Sequence, residues 1–505
     1  MLAVELVRRG ARRFADRTAV VVGDREFSFA EVDERASRLA NALLAAGAGR
    51  GTRVGLLVDN GEWSIPLDFA CLKAGVTRVP LNARLAVAEQ TRMLAESGVA
   101  LLVYSMPLAE RAATLAEALD GLRLAGLGDR QRAQDLDLVA ELDRVPAADP
   151  RVPVAPDDVM LALYTSGTTG TLKAAQHTQA GYAAITANIL ANLLSPGRDS
   201  AMLHAASLIH ASGTFVLPYW IRGGRAVVLP GFDPESYPDS ITRHRVTDIN
   251  LVPTMLGLLL AGSTMDSAAT LDTIVYGASP MPKPLIHEAL DRFGPKFVQY
   301  YGQTEAPLCQ TVLGKADHLQ SDLLGSCGHP AVDAELLLTD PDGYPVPRGE
   351  IGEIRVRAPF TMSGYLDAPE LTAETLVDGW IRTRDLARAD ERGYLYLVDR
   401  ASDMIVTGGY NVYPREVEDA LAAHPAVAES AVVGAPDPTW VEAVTAFVSL
   451  RPGATVSEED LRTHVRGRLA GYKVPKSVHV VDAIPKSAVG KILRRALRDP
   501  LWEDR

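Results

Sequence analysis

The sequence predicts an α/β protein with parallel sheets, followed by a β-rich subdomain and a small α+β domain. Three observations support this fold class. Short apolar strands alternate with helical patterns up to about residue 321, which favours parallel sheets. Beyond that residue, short strands are joined by Gly, Pro and Asp turns, as in TDPDGYPVPRGE. From about residue 401, helices and strands alternate again over a length sufficient for a small domain.

The first helix in this pattern has a clear start and stop. Ser28 and Glu31 have the spacing of a capping box, apolar residues recur at helical spacing from Phe29, and the pattern ends near Gly47. The strand and helix predictions that follow are a strand over 53–59, a helix ending at Lys73, and strands over 76–81, 159–165, 225–230, 247–253 and 272–277. We expect a domain boundary near Arg400, between an N-terminal domain of residues 1–400 and a C-terminal domain of residues 401–505.

Composition and charge argue against several classes of function. The formal net charge is −12, and no basic stripe with interleaved aromatic residues is evident, so we expect no nucleic-acid partner. Cys71, Cys309 and Cys327 have neither the number nor the spacing of a disulfide framework or a zinc site, which indicates the reducing cytoplasm. No run reaches the ~18 consecutive apolar residues of a membrane helix, so we expect neither a membrane span nor secretion.

The segment YTSGTTGTLK, residues 164–173, has the composition of a phosphate-binding loop behind a strand. Its glycines leave room for backbone amides to approach phosphate oxygens, and Lys173 adds a positive charge. The hydroxyl donors are Ser166, Thr168 and Thr169. An ordinary Ser/Thr/Gly loop has the same composition, and the G-x-x-x-x-G-K-[ST] motif is absent, so phosphate binding needs support from elsewhere in the chain.

The segment QYYGQTEAP, residues 299–307, provides part of that support. Tyr301 is suited to stack against a base, Thr304 to contact phosphate and Glu305 to hold a magnesium ion. By itself, the same segment could be a turn after a strand.

Three further charged residues are candidates for a nucleotide site. Asp385 in RTRDLAR is a suitable acceptor for two ribose hydroxyls, and Arg400 lies in DRASDMI. Each of these two could instead be a member of a surface ion pair. Lys491 follows a glycine in PKSAVGKILRR, although such a basic run is commonly a solvated face.

Together, and in this order, these segments resemble the motifs of the adenylate-forming superfamily of acyl-CoA synthetases, luciferases and peptide-synthetase adenylation domains. The resemblance extends from FSFAEVDERASRLANALLAAG to GKILRR and is closest to acyl- or aryl-CoA ligases. It implies a large N-terminal domain of two α/β subdomains plus a β-rich subdomain, followed by a small mobile C-terminal domain.

The resemblance also implies a reaction. In similar enzymes a carboxylate attacks the α-phosphorus of ATP to give an acyl-adenylate and pyrophosphate, and a thiol then displaces AMP. ATP, Mg²⁺ and CoA are therefore the implied cofactors. Lys491 is implied to bridge the substrate carboxylate and the α-phosphate as charge develops, while Thr304 and Glu305 contact phosphate and magnesium.

The remaining binding residues follow from the same resemblance. Asp385 is implied to bind the ribose and Arg400 the ribose or phosphate edge, and rotation of the C-terminal domain is implied to bring GGYNVYP to the active site. The phosphate loop comprises Thr165, Ser166, Gly167, Thr168, Thr169 and Gly170, with Lys173 nearby. The adenine site comprises Gly277, Ala278, Ser279 and Tyr301, and the path of the pantetheine thiol passes Gly408 and Gly409.

The acyl pocket is implied to open at His210, for which a buried, hydrogen-bonded histidine is the alternative interpretation. The pocket is expected to be completed by Gly302 and by parts of 210–220, 251–256, 277–280 and 301–310.

The sequence departs from the family pattern at five positions. Leu172 and Ala174 replace the usual proline and glycine beside Lys173. Arg384 and Val441 stand where glycine is usual, and Ser402 replaces the usual hinge Asp or Lys. Ser402 and Val441 bear on domain rotation and thiol access, so they concern the second half-reaction more than the first.

The leading hypothesis is an ATP-dependent acid–CoA ligase acting on a small aromatic or short-to-medium acyl acid. The alternative is a stand-alone adenylating enzyme that passes the activated acid, or activated nitrite, to an amine or a carrier protein. A catalytically silent ligand-binding homologue is disfavoured because Glu305, Asp385 and Lys491 are retained.

Overall fold

The computed structural model describes the chain except for residues 129–134, 167–171, 263–268, 280, 401–402, 408–409, 488–490 and 504–505. The side chains of Ser166, Leu172, Arg400 and Glu503 are also outside the described part.

The first part of the chain alternates strands and helices. Its elements are α1 (Ala3–Phe14), β1 (Thr18–Val22), β2 (Arg25–Ser28), α2 (Phe29–Ala45), β3 (Arg53–Leu57), α3 (Ser64–Ala74), β4 (Thr77–Pro80), α4 (Val87–Glu96), β5 (Leu101–Ser105), α5 (Ala109–Ala118), β6 (Arg123–Leu127), β7 (Leu136–Asp137), α6 (Leu138–Glu141), β8 (Val159–Ser166), β9 (Leu172–Thr178) and α7 (Gln179–Asn192).

The middle part continues the alternation and ends in two antiparallel strands. Its elements are β10 (Ala201–His204), α8 (Val216–Arg222), β11 (Arg225–Val228), α9 (Tyr237–Arg243), β12 (Asp248–Leu251), α10 (Pro253–Ala261), β13 (Thr273–Gly277), α11 (Lys283–Phe293), β14 (Phe297–Gln303), β15 (Ala306–Leu313) and β16 (His329–Pro330).

The last part is rich in strands. Its elements are β17 (Glu335–Thr339), β18 (Ile351–Arg357), β19 (Gly364–Tyr365), α12 (Pro369–Thr375), β20 (Leu376–Val377), β21 (Trp380–Ala389), β22 (Leu395–Arg400), β23 (Ile405–Thr407), β24 (Tyr410–Val412), α13 (Pro414–Ala422), β25 (Val427–Asp437), β26 (Val441–Leu450), α14 (Glu458–Arg466), β27 (Ser477–Val480) and α15 (Arg494–Glu503).

Two large sheets lie in the N-terminal part of the described chain. The first has the order β19-β9-β8-β4-β3-β5-β6-β7, and its strands from β8 to β7 are parallel to one another. Strand β9 pairs antiparallel with β8, and β19 pairs antiparallel with β9. The second has the order β16-β15-β14-β13-β12-β10-β11-β1-β2, with a parallel centre from β14 to β1. The predicted parallel α/β architecture is therefore confirmed.

Two smaller sheets follow in the sequence. Strands β17, β18, β20, β21 and β22 form an antiparallel sheet, as the turn-rich composition predicts. Strands β23 to β27 form a fourth sheet that begins at Ile405 and packs on the C-terminal helices, so the predicted β-rich and α+β regions are also confirmed. The boundary at 400/401 stays a prediction.

The capping box predicted at Ser28 is present. The Glu31 backbone N–H donates to Ser28 Oγ at 3.2 Å, and the Ser28 backbone N–H donates to Glu31 Oε2 at 2.7 Å. Helix α2 therefore starts where two of its unpaired N–H groups find side-chain acceptors. Its buried face packs in two hydrophobic clusters, one containing Phe29 and Val32 and the other containing Leu39.

Candidate active site

The predicted site residues of the second sheet lie at one edge. Gly277 ends β13, Tyr301 lies near the end of β14, and Thr304 and Glu305 follow β14 directly. His210 follows β10, a third parallel strand of the same sheet. The carboxyl ends of parallel strands form the usual ligand-binding edge of an α/β sheet, and the fold brings these residues to that edge.

Tyr301 and Asp385 are joined across two sheets. The Tyr301 hydroxyl donates a 2.6 Å hydrogen bond to Asp385 Oδ2, and both residues are less than a tenth exposed. The Asp385 backbone N–H donates to Thr383 Oγ1 at 3.1 Å, which fixes the β21 segment beside the carboxylate. Burial, and then the Asp385 charge, raise the pKa of Tyr301 well above its ordinary value. Asp385 is therefore a buried acceptor and not a surface residue.

Gly277 and Gly302 are glycines because the backbone approaches too closely for a side chain. A Cβ at Gly277 would lie 2.5 Å from the Tyr300 carbonyl oxygen, and one at Gly302 would lie 1.9 Å from the Leu308 carbonyl oxygen. Ala278 follows Gly277 with φ +66°, a left-handed conformation that is costly for alanine. The β13 and β14 ends thus form a narrow backbone wall beside Tyr301.

Glu305 is held by its backbone and its side chain. The Tyr365 hydroxyl donates to Glu305 Oε1 at 2.6 Å, and the Met362 backbone N–H donates to the Glu305 carbonyl oxygen at 2.8 Å. His177 Nε2 lies 2.9 Å from the Thr304 carbonyl oxygen, so this nitrogen carries the proton. The loop after β14 is therefore positioned by β9 and by the segment around β19.

Lys173 reaches the same group of residues. Its Nζ lies 4.7 Å from the centroid of the Tyr365 ring, a cation–π distance. Lys173, Tyr365 and Glu305 thus form a connected arrangement of ammonium, phenol and carboxylate, which we call the KYE cluster. A mixed-charge cluster of this kind can contact phosphate oxygens through the ammonium and a cation through the carboxylate.

Three buried polar atoms near this edge have no hydrogen-bond partner among the described residues: Thr165 Oγ1, Gln303 Nε2 and His210 Nε2. Buried polar groups are nearly always paired in folded proteins, so these three atoms can accept or donate a hydrogen bond to a ligand or to an ordered water. Thr165 is the next-to-last residue of β8, and its contact with phosphate stays a prediction.

A magnesium ion fits these residues only together with a nucleotide. No group of three or more His, Cys, Asp or Glu side chains in the described part of the chain is arranged to hold a metal ion. Glu305 offers a carboxylate in a nearly buried position. Magnesium is commonly bound by one or two carboxylates plus substrate phosphates, so Glu305 suits an ion that arrives with ATP.

His210 is half-buried, with its Nε2 atom inside the protein. Burial lowers its pKa to about 4, so the ring is neutral near pH 7. Because Nε2 has no partner among the described residues, the alternative of a fully hydrogen-bonded core histidine is not supported. The place of His210 at the mouth of an acyl pocket stays a prediction.

Lys491 is exposed and lies in the pairing of residues 485–487 with residues 491–493, which we call the Lys491 hairpin. The Ser487 backbone N–H donates to the Lys491 carbonyl oxygen at 2.7 Å, and the Lys491 backbone N–H donates to Ser487 Oγ at 3.1 Å. Lys486 and Ile492 form the bridge that closes this hairpin. The role of Lys491 at the α-phosphate stays a prediction.

Arg494 shows that the GKILRR run is not simply a solvated face. Its guanidinium lies 2.6 Å from Glu418, 3.2 Å from Asp403 and 3.7 Å from Asp399. Its side chain is only 20% exposed. The first arginine of the run is thus an anchor for the hairpin that carries Lys491.

Several predicted residues lie outside the described part of the chain. They are Gly167, Thr168, Thr169, Gly170, Ser402, Gly408 and Gly409, together with the side chains of Ser166 and Arg400. Ser279 is described only as half-buried, in the bend after Ala278.

Two departures from the family pattern coincide with left-handed backbone. Arg384 has φ +60° and Val441 has φ +71°, conformations that glycine adopts without strain. Arg384 is not simply solvent-directed, because its guanidinium lies 3.6 Å from Glu374 and its backbone N–H donates to Glu353 at 3.0 Å. Val441 is 70% exposed, so its strain is not offset by burial.

Tyr365 and His177 were not identified from the sequence. Tyr365 lies 60 positions after the glutamate that it contacts, and His177 lies 127 positions before Thr304. Neither belongs to a local motif with a spacing that indicates the contact. Only the pairing of β19 with β9 brings Tyr365 beside Ala175, and hence near Lys173.

Comparison with known proteins identifies the family. The model of the AMP-binding enzyme family matches residues 7–366, and that of the AMP-binding enzyme C-terminal domain matches residues 416–491. A feruloyl-CoA synthase from an Amycolatopsis species is 40% identical over 97% of both chains. A medium/long-chain-fatty-acid–CoA ligase of Mycobacterium tuberculosis is 38% identical over 97% of this chain and 89% of its own.

A solved structure of an amide bond synthetase from Marinactinospora thermotolerans has a TM-score of 0.91 and 33% identity, covering 98% of this chain and 99% of its own. None of the helices in the described residues is long and apolar enough to cross a membrane. The chain therefore belongs to the AMP-binding enzyme family of adenylate-forming ligases.

Proposed function

We propose that the protein is an ATP-dependent acid–CoA ligase for a small apolar carboxylic acid, aromatic or short-to-medium acyl. The acid and ATP would give an acyl-adenylate and pyrophosphate, and the CoA thiol would then displace AMP to give a thioester. The observation that carries this proposal is the convergence of the Tyr301–Asp385 pair and the KYE cluster on one sheet edge.

The nucleotide would be held by residues with complementary chemistry. A carboxylate can accept several hydrogen bonds, so Asp385 could accept from the two ribose hydroxyls as well as from Tyr301. Thr165, Thr304 and Lys173 would contact phosphate oxygens as donors. Mg²⁺ bound with the nucleotide would supply charge neutralisation on the phosphates, and Glu305 would hold it.

Lys491 would supply the charge that the first half-reaction needs. As the carboxylate attacks, negative charge builds on the α-phosphoryl oxygens, and an ammonium held there stabilises the transition state more than the ground state. The Arg494 ion cluster would orient the hairpin that carries Lys491.

Exposed aromatic residues of the C-terminal region support CoA as the acceptor. Trp440 is 42% exposed with Lys476 Nζ 4.7 Å from its ring centroid. Tyr410 is 59% exposed and stacks on Tyr472 at 4.7 Å between ring centroids. Aromatic faces beside ammonium groups suit a phosphorylated nucleotide, because a base can stack while phosphates meet the cations.

Two relatives with different substrates support an apolar acid. One is a synthase for feruloyl-CoA and the other a ligase for medium or long fatty acids. The neutral His210 at the predicted pocket mouth supplies no charge for a second carboxylate.

A second candidate function is transfer of the activated acid to an amine. The amide bond synthetase covers 98% of this chain at a TM-score of 0.91. Val441 favours this candidate. It is exposed and pairs with Thr407, the residue before the predicted thiol path, so its β-branched side chain could obstruct the thiol of CoA.

Pyrophosphate release, measured over aromatic acids, aliphatic acids and nitrite, tests the proposal. Each is assayed alone, with CoA and with an aromatic amine. Turnover that CoA stimulates with an apolar carboxylic acid, with thioester and AMP as products, supports the ligase. Pyrophosphate release that only the amine stimulates would favour amide formation, and turnover with nitrite but with no carboxylic acid would overturn the ligase.

A further inference from the structure

We infer that Tyr365 is a positioning residue whose hydroxyl orients Glu305 toward the nucleotide-bound metal and whose ring orients Lys173 toward the phosphates. This inference rests on the proposed function, because it assigns Tyr365 a task in the same nucleotide site. It concerns a residue that has no direct bond to the substrates in the proposed arrangement.

The hydroxyl contact is short and shielded. Tyr365 is 5% exposed and Glu305 is 8% exposed, and the phenol donates to Glu305 Oε1 at 2.6 Å. A hydrogen bond to an ionised carboxylate in such a place is stronger than one between neutral groups. It occupies one carboxylate oxygen and sets the direction of the other, to which a cation can bind.

The phenol is suited to remain a donor. Burial, and then the nearby Glu305 charge, raise the pKa of Tyr365 far above its ordinary value. In this contact the phenol hydroxyl is the donor and a Glu305 carboxylate oxygen is the acceptor.

The backbone that carries Tyr365 is fixed on both sides. The Tyr365 N–H donates to Thr372 Oγ1 at 2.9 Å, and the Leu366 N–H donates to the Ala174 carbonyl oxygen at 2.8 Å. A Cβ at Gly364 would lie 2.9 Å from Thr372 Cγ2, so this strand approaches α12 closely. A side chain on such a rigid strand can hold another group within the tolerance that catalysis requires.

The ring provides the second contact. Lys173 Nζ lies 4.7 Å from the ring centroid, and Tyr365 pairs with Ala175 on the strand that carries Lys173. Substitution by phenylalanine keeps this face and removes only the hydroxyl. Substitution by leucine removes both, so the two contributions can be separated.

Tyr394 offers a matched control for the loss of a phenol. Its hydroxyl donates to Asp317 Oδ1 at 2.8 Å, and the residue is 8% exposed, but neither partner belongs to the site. Tyr394→Phe therefore removes a similar phenol–carboxylate bond elsewhere in the same large domain.

The test is ATP binding by calorimetry, with and without Mg²⁺, for the wild type, Tyr365→Phe, Tyr365→Leu and Tyr394→Phe. We expect Tyr365→Phe to weaken binding about tenfold in Mg²⁺ and by less than about twofold in chelator, because only the carboxylate is affected. Tyr365→Leu should bind ATP about threefold more weakly than Tyr365→Phe in chelator, because it also loses the ring contact with Lys173. Tyr394→Phe should match the wild type in both conditions.

The hydroxyl role is overturned if Tyr365→Phe binds Mg·ATP as the wild type does, or if it loses affinity equally with and without Mg²⁺. The ring role is overturned if Tyr365→Leu and Tyr365→Phe are indistinguishable in chelator. Failure of the proposed function has a different signature, since the wild type would then release no pyrophosphate with any acid.

Discussion

The hydroxyl of Tyr301 donates a 2.6 Å hydrogen bond to Asp385, a residue 84 positions away in another sheet. The bond connects the residue predicted to line the adenine site with the one predicted to bind the ribose. It also means that a change at Asp385 affects two partners, the nucleotide and the tyrosine.

Asp385→Ala should weaken ATP binding by about tenfold to a hundredfold, because hydrogen bonds to a buried charged acceptor contribute about 1.5–3 kcal/mol. Tyr301→Phe keeps the ring and the carboxylate, so its effect on affinity should be several-fold smaller. Calorimetric titration with ATP measures both. Equal, wild-type affinities for the two variants would make Asp385 a structural partner of Tyr301 and not a ribose ligand.

Lys491→Ala should reduce adenylate formation by about a hundredfold to a thousandfold, the usual effect of removing a donor from developing charge. It should spare thiolysis of a presynthesised acyl-adenylate. Lys486→Ala is the matched control, because Lys486 lies in the same hairpin but pairs with Glu429 at 2.5 Å. Acid-dependent pyrophosphate release within about threefold of the wild type in Lys491→Ala would remove this lysine from the transition state.

Val441→Gly should stabilise the C-terminal region by about 1 kcal/mol, because valine at φ +71° is strained and glycine is not. Val406, on the neighbouring strand, is also exposed and is not among the residues with positive φ. Val406→Gly should therefore destabilise by about 0.5–1 kcal/mol, and urea unfolding compares the two. If Val441 obstructs the thiol, its glycine variant should also speed CoA-dependent turnover and leave pyrophosphate release in the first half-reaction unchanged.

His177 should make the folded state less stable in acid. Burial lowers its pKa to about 4, below the ordinary value of 6.5, so the unfolded chain binds the extra proton between these two values. Its contribution to stability is complete above about pH 6.5 and decreases as the pH falls toward about 4, at up to about 1.4 kcal/mol per pH unit.

His177→Gln retains an N–H donor for the Thr304 carbonyl but has no site that titrates. Between pH 6.5 and pH 5 the wild type should lose up to about 2 kcal/mol more stability than this variant in urea denaturation. Parallel pH profiles for the two proteins would show that His177 is not protonated on unfolding in this range.

Much of the fold could be predicted because its signals are local. Helix α2 begins at a capping box whose two hydrogen bonds lie within four residues, and the strands at 53–57 and 273–277 are short apolar runs between turns. The antiparallel strand β9 was not predicted, because its pairing with β8 depends on a chain reversal between Ser166 and Leu172. Its residues also lack the alternation that marks an isolated strand.

The sequence by itself determined the residue types of the site and their order along the chain, from the phosphate loop to Lys491, since these are properties of short segments. Only the tertiary structure decided the contacts among them. Tyr365 meets Glu305 because β19 joins the edge of β9, and Tyr301 meets Asp385 because two sheets pack together. Contacts between residues so distant in sequence depend on burial and strand pairing of the whole chain, which no local pattern records.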